Sequence, residues 1–152
     1  MIEYELISLY YGDRKAKRSG VPYINHITEG LSILSNIKST EMAARAFCTH
    51  PMVQSDVDLV YNYPNLSYLD GRVIALALEY RRVANNYLST RKISHFSEIE
   101  LSPLYEVNDM LFADKIQNKK DFMKYHYGIH PRSEELLNYF NNWISRLTYI
   151  AA

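Results

Sequence analysis

Cysteine is almost absent from this chain of 152 residues: Cys48 stands alone, so no intramolecular disulfide framework is available. Its place inside the apolar run AARAFC, residues 43–48, reads as a small buried hydrophobe in a reducing compartment. Long apolar runs are lacking too. None approaches the roughly 20 residues that cross a bilayer. The stretch MIEYELISLYYGDRK has neither the basic start nor the apolar centre of a signal peptide, so the expected location is the cytoplasm. An excess of one charge is also missing: 17 Lys and Arg balance 17 Asp and Glu. That balance argues against membrane association and direct nucleic-acid binding driven by global attraction. Any phosphate binding must come from a local cluster, such as Arg14, Lys15, Lys17 and Arg18, or Arg81 with Arg82. Period-two alternation is absent over any useful length, so an all-α, compact multi-helix bundle is expected.

What remains is helical periodicity in a single domain, residues 1–152, large enough to bury a core unaided. The spacing of Ile2, Leu6, Leu9 and Tyr10 predicts a helix over residues 2–15. Pro22 suits the first turn of a second helix striped by Ile24, Ile27, Leu31 and Leu34. Thr40 opens a third, nearly all apolar and therefore central, ended by Pro51. A short helix is expected at residues 56–59, with Asp56 as a natural cap, then a loop over residues 61–68 around Pro64. Asp70 is placed to cap a long helix over residues 71–90, followed by a polar connection through residue 102. Pro103 is expected to begin a helix with Val107, Met110, Leu111 and Ile116 inward and Asp114 near its end. Ser133 starts the last, with Leu136, Leu137, Phe140, Trp143, Ile144 and Leu147 on one face.

The chemistry concentrates where the third helix ends, at His50-Pro51, followed closely by Gln54, Ser55 and Asp56. A histidine followed directly by an aspartate would let imidazole and carboxylate grip one divalent cation from adjacent positions. Pro51 offers no donor atom.

Three blocks in order resemble the hydrolase domain of the RelA/SpoT family, most closely its small stand-alone form, the metazoan SpoT homologues. They are KRSGVPYINH (residues 17–26), AARAFCTHPMVQSD (43–56) and MLFADKIQNKKDF (110–122), with LLNYFNNW (136–143) similar to that form's final helix. The resemblance implies an HD-type helical domain that binds manganese or a similar divalent ion and removes pyrophosphate or phosphate from a signalling nucleotide such as guanosine tetraphosphate. By motif position, His26, His50 and Asp114 match three of four metal ligands, and Pro51 stands where the fourth, an aspartate, belongs. The acidic pair that positions the attacking water falls on Gln54 and Ser55. Asn118 matches the asparagine of the ADKxxN motif, Lys17 and Arg18 the basic pair that meets substrate phosphates, and Tyr139 an aromatic near the nucleotide.

Loss of one carboxylate weakens retention of a hard dication. Neither Gln54 nor Ser55 takes a proton near neutral pH without an activating neighbour. Asp56 could stand in as base or ligand if the turn slips by one residue. Lys17, Arg18 and Arg81 need only charge and reach to hold an anion, and a pocket stripped of carboxylates would welcome one. Three readings stay open. The first is a degenerate relative that binds a phosphorylated nucleotide through Lys17, Arg18, His26, His50, Gln54, Arg81, Asn118 and Tyr139, with Asp114 lining the same pocket and no bound cofactor. The second is a divergent metal-dependent phosphohydrolase using His26, His50, Asp114 and Asp56. The third is a protein-interaction module on the same fold. All three allow a homo-oligomer.

Overall fold

The computed structural model describes residues 1–151. The element that carries the second histidine begins at Thr40, whose hydroxyl accepts the Ala43 N–H at 3.1 Å and satisfies one of the orphan donors of a helix start. Seven α-helices follow one another among the described residues: α1 (Ile2–Tyr11), α2 (Ile24–Asn36), α3 (Glu41–Thr49), α4 (Asp56–Leu66), α5 (Gly71–Asn86), α6 (Tyr105–Tyr125) and α7 (Ser133–Ala151). Among those residues there is no strand, only an isolated bridge between Lys15 and Pro22. The expected all-α class is therefore what the chain adopts. No described helix is long and apolar enough to cross a membrane.

Several boundaries differ from expectation, each for a physical reason. Helix α1 stops at Tyr11 because Gly12 turns the backbone left-handed, at φ 56°. Pro22 lies in the Lys15 bridge, just ahead of α2. Helix α3 stops at Thr49, directly before His50-Pro51 as expected, but the chain does not open into a loop there: His50–Val53 continues as a tight 3-10 turn with Pro51 inside it. The loop expected over residues 61–68 is mostly helix, since α4 runs through Pro64. Asn62 pins α4 inward by donating to the carbonyls of Met52 and Asp58. Ser55 caps α4, where Asp56 was expected, by accepting the Asp58 N–H at 3.1 Å. Helix α5 ends at Asn86, short of residue 90, and α6 starts at Tyr105, after Pro103. Helix α6 is 21 residues long, so Asp114 sits at its middle and not near its end.

Helices α3 and α6 share the centre, with α6 packed on α2, α3, α5 and α7, and α3 on α1, α2, α5 and α6. The core they enclose includes Ile7, Ile27, Phe47, Met110, Leu111 and Trp143, all fully buried. Burying each such side chain stabilises the fold by about 1.5–3 kcal/mol. The Trp143 indole donates to the Tyr87 carbonyl at 3.3 Å, which ties α7 to the end of α5. Cys48 is free and buried, and burial pushes its thiol pKa up to about 12.

Helices α2 and α3 meet at Gly30, where an added Cβ would overlap ring atoms Cε1 and Cζ of Phe47. Alanine is favoured over glycine inside a helix by about 1 kcal/mol, whereas overpacking costs about 1–3 kcal/mol. Phe47 is fully buried, so its ring can give way only by displacing other core side chains. Gly30→Ala should therefore lower the stability measured by urea unfolding, by up to about 2 kcal/mol net, and raised stability would mean the ring yields freely.

Candidate functional site

Helix α2 brings in His26, the 3-10 turn brings in His50, and the middle of α6 supplies Asp114. His26 Nε2 lies 3.1 Å from Asp114 Oδ1, and His50 Nε2 lies 3.8 Å from the same oxygen. One ligand atom from each residue falls within a span of 4.8 Å. The ring tautomers follow from the partners. The Gln117 amide nitrogen donates to Glu29 Oε2 at 3.0 Å and to Asp121 Oδ2 at 2.8 Å. Its oxygen is thereby left facing His26 Nδ1 at 2.5 Å, and that nitrogen must be the donor. His50 Nδ1 faces the Phe47 carbonyl, which only accepts, so it too carries hydrogen. Both Nε2 atoms consequently turn toward Asp114.

Asp114 Oδ2 is held separately, by the Lys115 ammonium at 3.0 Å and the Asn118 amide at 3.1 Å. Lys115 itself is buried, donates to the Tyr139 hydroxyl at 3.3 Å, and lies over the Tyr139 and Trp143 rings. Burial opposes the Asp114 charge, but Lys115 and His26 outweigh it and hold the carboxyl far below the usual range. Burial likewise opposes charge on His26, yet the Asp114 bond and charge raise its pKa. For His50 burial wins and pushes the pKa down to about 4, so the ring is neutral at pH 7.

The cluster opens into a cleft of two lobes that share Gln54, Asp114 and Asn118. The first, of about 300 Å³, is lined by both histidines, Gln117, Asp121 and His126, and by the loop after α1 through Ala16, Ser19 and Tyr23. That loop is tied back on itself by Tyr23 N–H to Arg14 carbonyl and Ala16 N–H to Val21 carbonyl bonds, both 2.9 Å. The second lobe, of about 250 Å³, is lined by Tyr80, Arg81, Asn85, Lys115, Tyr139 and Phe140.

These positions settle where each expected site residue lies. His26, His50, Gln54, Asp114 and Asn118 converge, and Arg81 and Tyr139 join them in the second lobe. Lys17 and Arg18 are exposed on the loop and do not line the cleft. Ser55 is committed to capping α4 and donates to Asp58 Oδ2 at 2.7 Å. Asp56 is 90% exposed and paired with Arg81 at 2.5 Å, outside the lining of either lobe. Nor is the first lobe free of carboxylates, as expected from the loss of the acidic pair, because Asp114 and Asp121 line it and no lysine or arginine does. Lys115, Gln117, Asp121 and His126 also belong to the site, though the sequence pattern does not single them out. The first three lie inside the ADKIQNKKD stretch, and their signal was polar residues on the inward face of a buried helix.

No family model, curated protein or solved structure matches this chain. The donor set must therefore be judged by its own chemistry. Two imidazoles whose Nδ1–H groups are anchored to oxygen acceptors, with one carboxylate, are suited to a borderline dication such as zinc, with water completing the shell. They suit manganese or magnesium less well, since those ions favour several oxygen ligands. The residues fit a dication geometrically, while Lys115 already offsets the single carboxylate charge.

The Asp114–Lys115 pair is buried on both sides. Removing one partner of such a pair costs about 3–5 kcal/mol because the other is left uncompensated, whereas replacing both is often neutral. Asp114→Asn should destabilise by about that amount. Adding Lys115→Met to it should restore most of the loss in a urea double-mutant cycle, and additive losses would mean that the two charges are not coupled.

Proposed function

We propose that this chain is a degenerate relative of the SpoT-type hydrolases that binds a phosphorylated nucleotide in the two-lobed cleft without hydrolysing it, as a sensor, sponge or regulatory module. The observation that carries this reading is the second lobe. It sets Arg81, paired only with the exposed Asp56, and Lys115, paired with Asp114, beside Tyr139 and Phe140, and opens along the same Asp114–Asn118 edge as the imidazoles. A nucleotide offers the complement: anionic oxygens for the cations, a flat base for the rings, and polar edges for Gln54 and Asn118. The HD-like motif blocks support the same reading, and a cytoplasmic location, where such nucleotides are made, belongs to it.

None of the three residues expected to serve as the base of a hydrolysis is free to do so. Gln54 offers an amide, the Ser55 hydroxyl is engaged in its cap, and Asp56 is paired outside the cleft. Asp114 is the remaining carboxylate of the cluster, and its two oxygens are occupied by His26, Lys115 and Asn118. A second reading, a metal-dependent phosphohydrolase, has one observation in its favour: the convergence of His26, His50 and Asp114 within 4.8 Å. There His26 Nε2, His50 Nε2 and an Asp114 oxygen would hold the ion, which would supply an acidified water.

Metal analysis and thermal-shift assays with mono-, di- and triphosphates of the four bases separate the readings. A ligand at a hundred times its Kd stabilises by about 2.7 kcal/mol, which for a domain of this size is a shift on the order of 5–10 °C. Arg81→Ala should abolish most of that shift, and should cost the unliganded fold little because its partner Asp56 is exposed. Lys17→Ala with Arg18→Ala should weaken binding less than Arg81→Ala. Absence of any shift would reject the proposal. Stoichiometric zinc or manganese, lost together with nucleotide hydrolysis in His50→Ala, would favour the enzyme.

A further inference from the structure

The cleft does not end at Tyr139. On the far side of that ring lies a further basin of about 440 Å³, lined by Tyr87, Ser89, Arg91, Lys92, Asn138 and Asn142, and Tyr139 borders both spaces. The ring is held as a partition. Its hydroxyl accepts from Lys115 on the cleft side, and its face packs on Tyr87 with centroids 5.3 Å apart. The basin's walls are tied down as well. Arg91 donates through Nη1 to the Asn86 carbonyl at 2.6 Å, its own N–H returns to the Leu88 carbonyl at 3.0 Å, and Asn142 donates to the Tyr87 hydroxyl at 3.2 Å.

Charge in this basin favours an anion. Its one carboxylate, Glu135, is already paired with Arg132 at 2.7 Å. Among the described residues, the Lys92 ammonium has no carboxylate within ion-pair distance, and neither does the Arg91 guanidinium. Size points the same way. The second lobe, at about 250 Å³, falls below the range of roughly 300–1,000 Å³ typical of ligand pockets. A nucleotide held there by Arg81 extends past the lobe, into the first lobe on one side or toward the larger basin across one aromatic ring on the other.

We infer that the cleft takes a dinucleotide, whose second phosphate lies in the basin against Arg91 and Lys92, with Tyr139 standing between the two anion positions. This rests on the nucleotide reading above and names its ligand class. The amides of Asn138 and Asn142, which line the basin, supply donors for the second sugar or base.

Titration calorimetry on the full chain tests this, comparing the 5′-monophosphates of the four bases with the corresponding 5′-phosphorylated linear dinucleotides. The dinucleotide of the preferred base should bind at least about tenfold tighter than its mononucleotide. Arg91→Gln with Lys92→Gln should remove that gain and leave mononucleotide affinity within about twofold. Lys92→Gln alone, which breaks no ion pair, should remove part of it. Mononucleotide binding without a dinucleotide gain would refute the extension alone, as would equal losses for both ligands in the double variant. Failure of every probe to bind the wild-type chain would refute the nucleotide reading with it.

Discussion

The contact between Asp114 and Lys115 places two opposite charges, adjacent in sequence, in the buried middle of α6, and the neighbouring elements are arranged around them. Asn118 completes one carboxylate oxygen, and His26 and His50 approach the other from α2 and from the turn after α3. Trp143 and Tyr139 of α7 cover the ammonium from the far side. Stability alone does not call for this arrangement, since well-packed apolar residues in place of a buried ion pair are commonly as stable or more so. What the charges do is fix directions. Asp114 aims one edge at the imidazoles and the other at Lys115, and the two lobes of the cleft open along those two edges.

Pro51 contributes through shape as much as through the carboxylate it lacks. With no N–H to give, it sits in the 3-10 turn that takes over where α3 stops, and that turn swings His50 inward against the Phe47 and Tyr80 rings. The His50 ring is thereby fixed at both ends, by the Phe47 carbonyl on Nδ1 and by packing on its faces. The same turn delivers Gln54 to the saddle between the lobes, while Ser55, one residue on, is spent on starting α4. A one-residue slip that would bring Asp56 into the cleft would break the Ser55 cap and the Asp56–Arg81 pair together.

The class of the fold was legible because it rests on local signals: Thr40 and Asp70 as caps, and apolar spacing such as Ile27, Leu31 and Leu34. Pro64 misled because proline usually breaks a helix, yet here it falls near the end of α4, whose inward face is secured by buried Asn62 and Leu66. Residues 110–122 stood out as a motif, but the roles of Lys115 and Gln117 did not, because an inward lysine and glutamine look like solvent-facing residues until their partners are known. Those partners, Tyr139, Glu29 and His26, lie between 24 and 91 residues away in the chain. Lys17 and Arg18 show the reverse. Their motif is clear in the sequence, but the folded loop carries them away from the cleft lining.

Two cations compete in principle for the space between His26 Nε2 and Asp114 Oδ1: a proton and a metal ion. The proton is favoured by the raised pKa of His26, which Asp114 and Gln117 produce together against the cost of burial. A dication must expel that proton and then sit near an ammonium that cannot retreat, because Lys115 is enclosed by Asp114, Tyr139 and Trp143. Two unit charges about 4 Å apart at an effective dielectric near 20 repel by about 4 kcal/mol, and a dication doubles that. An aspartate in place of Pro51 would offset such a repulsion; a proline cannot. An anionic ligand meets a different balance at the second lobe, where Lys115 is already matched by Asp114 but Arg81 is held only by the exposed Asp56, a partner that a phosphate can displace.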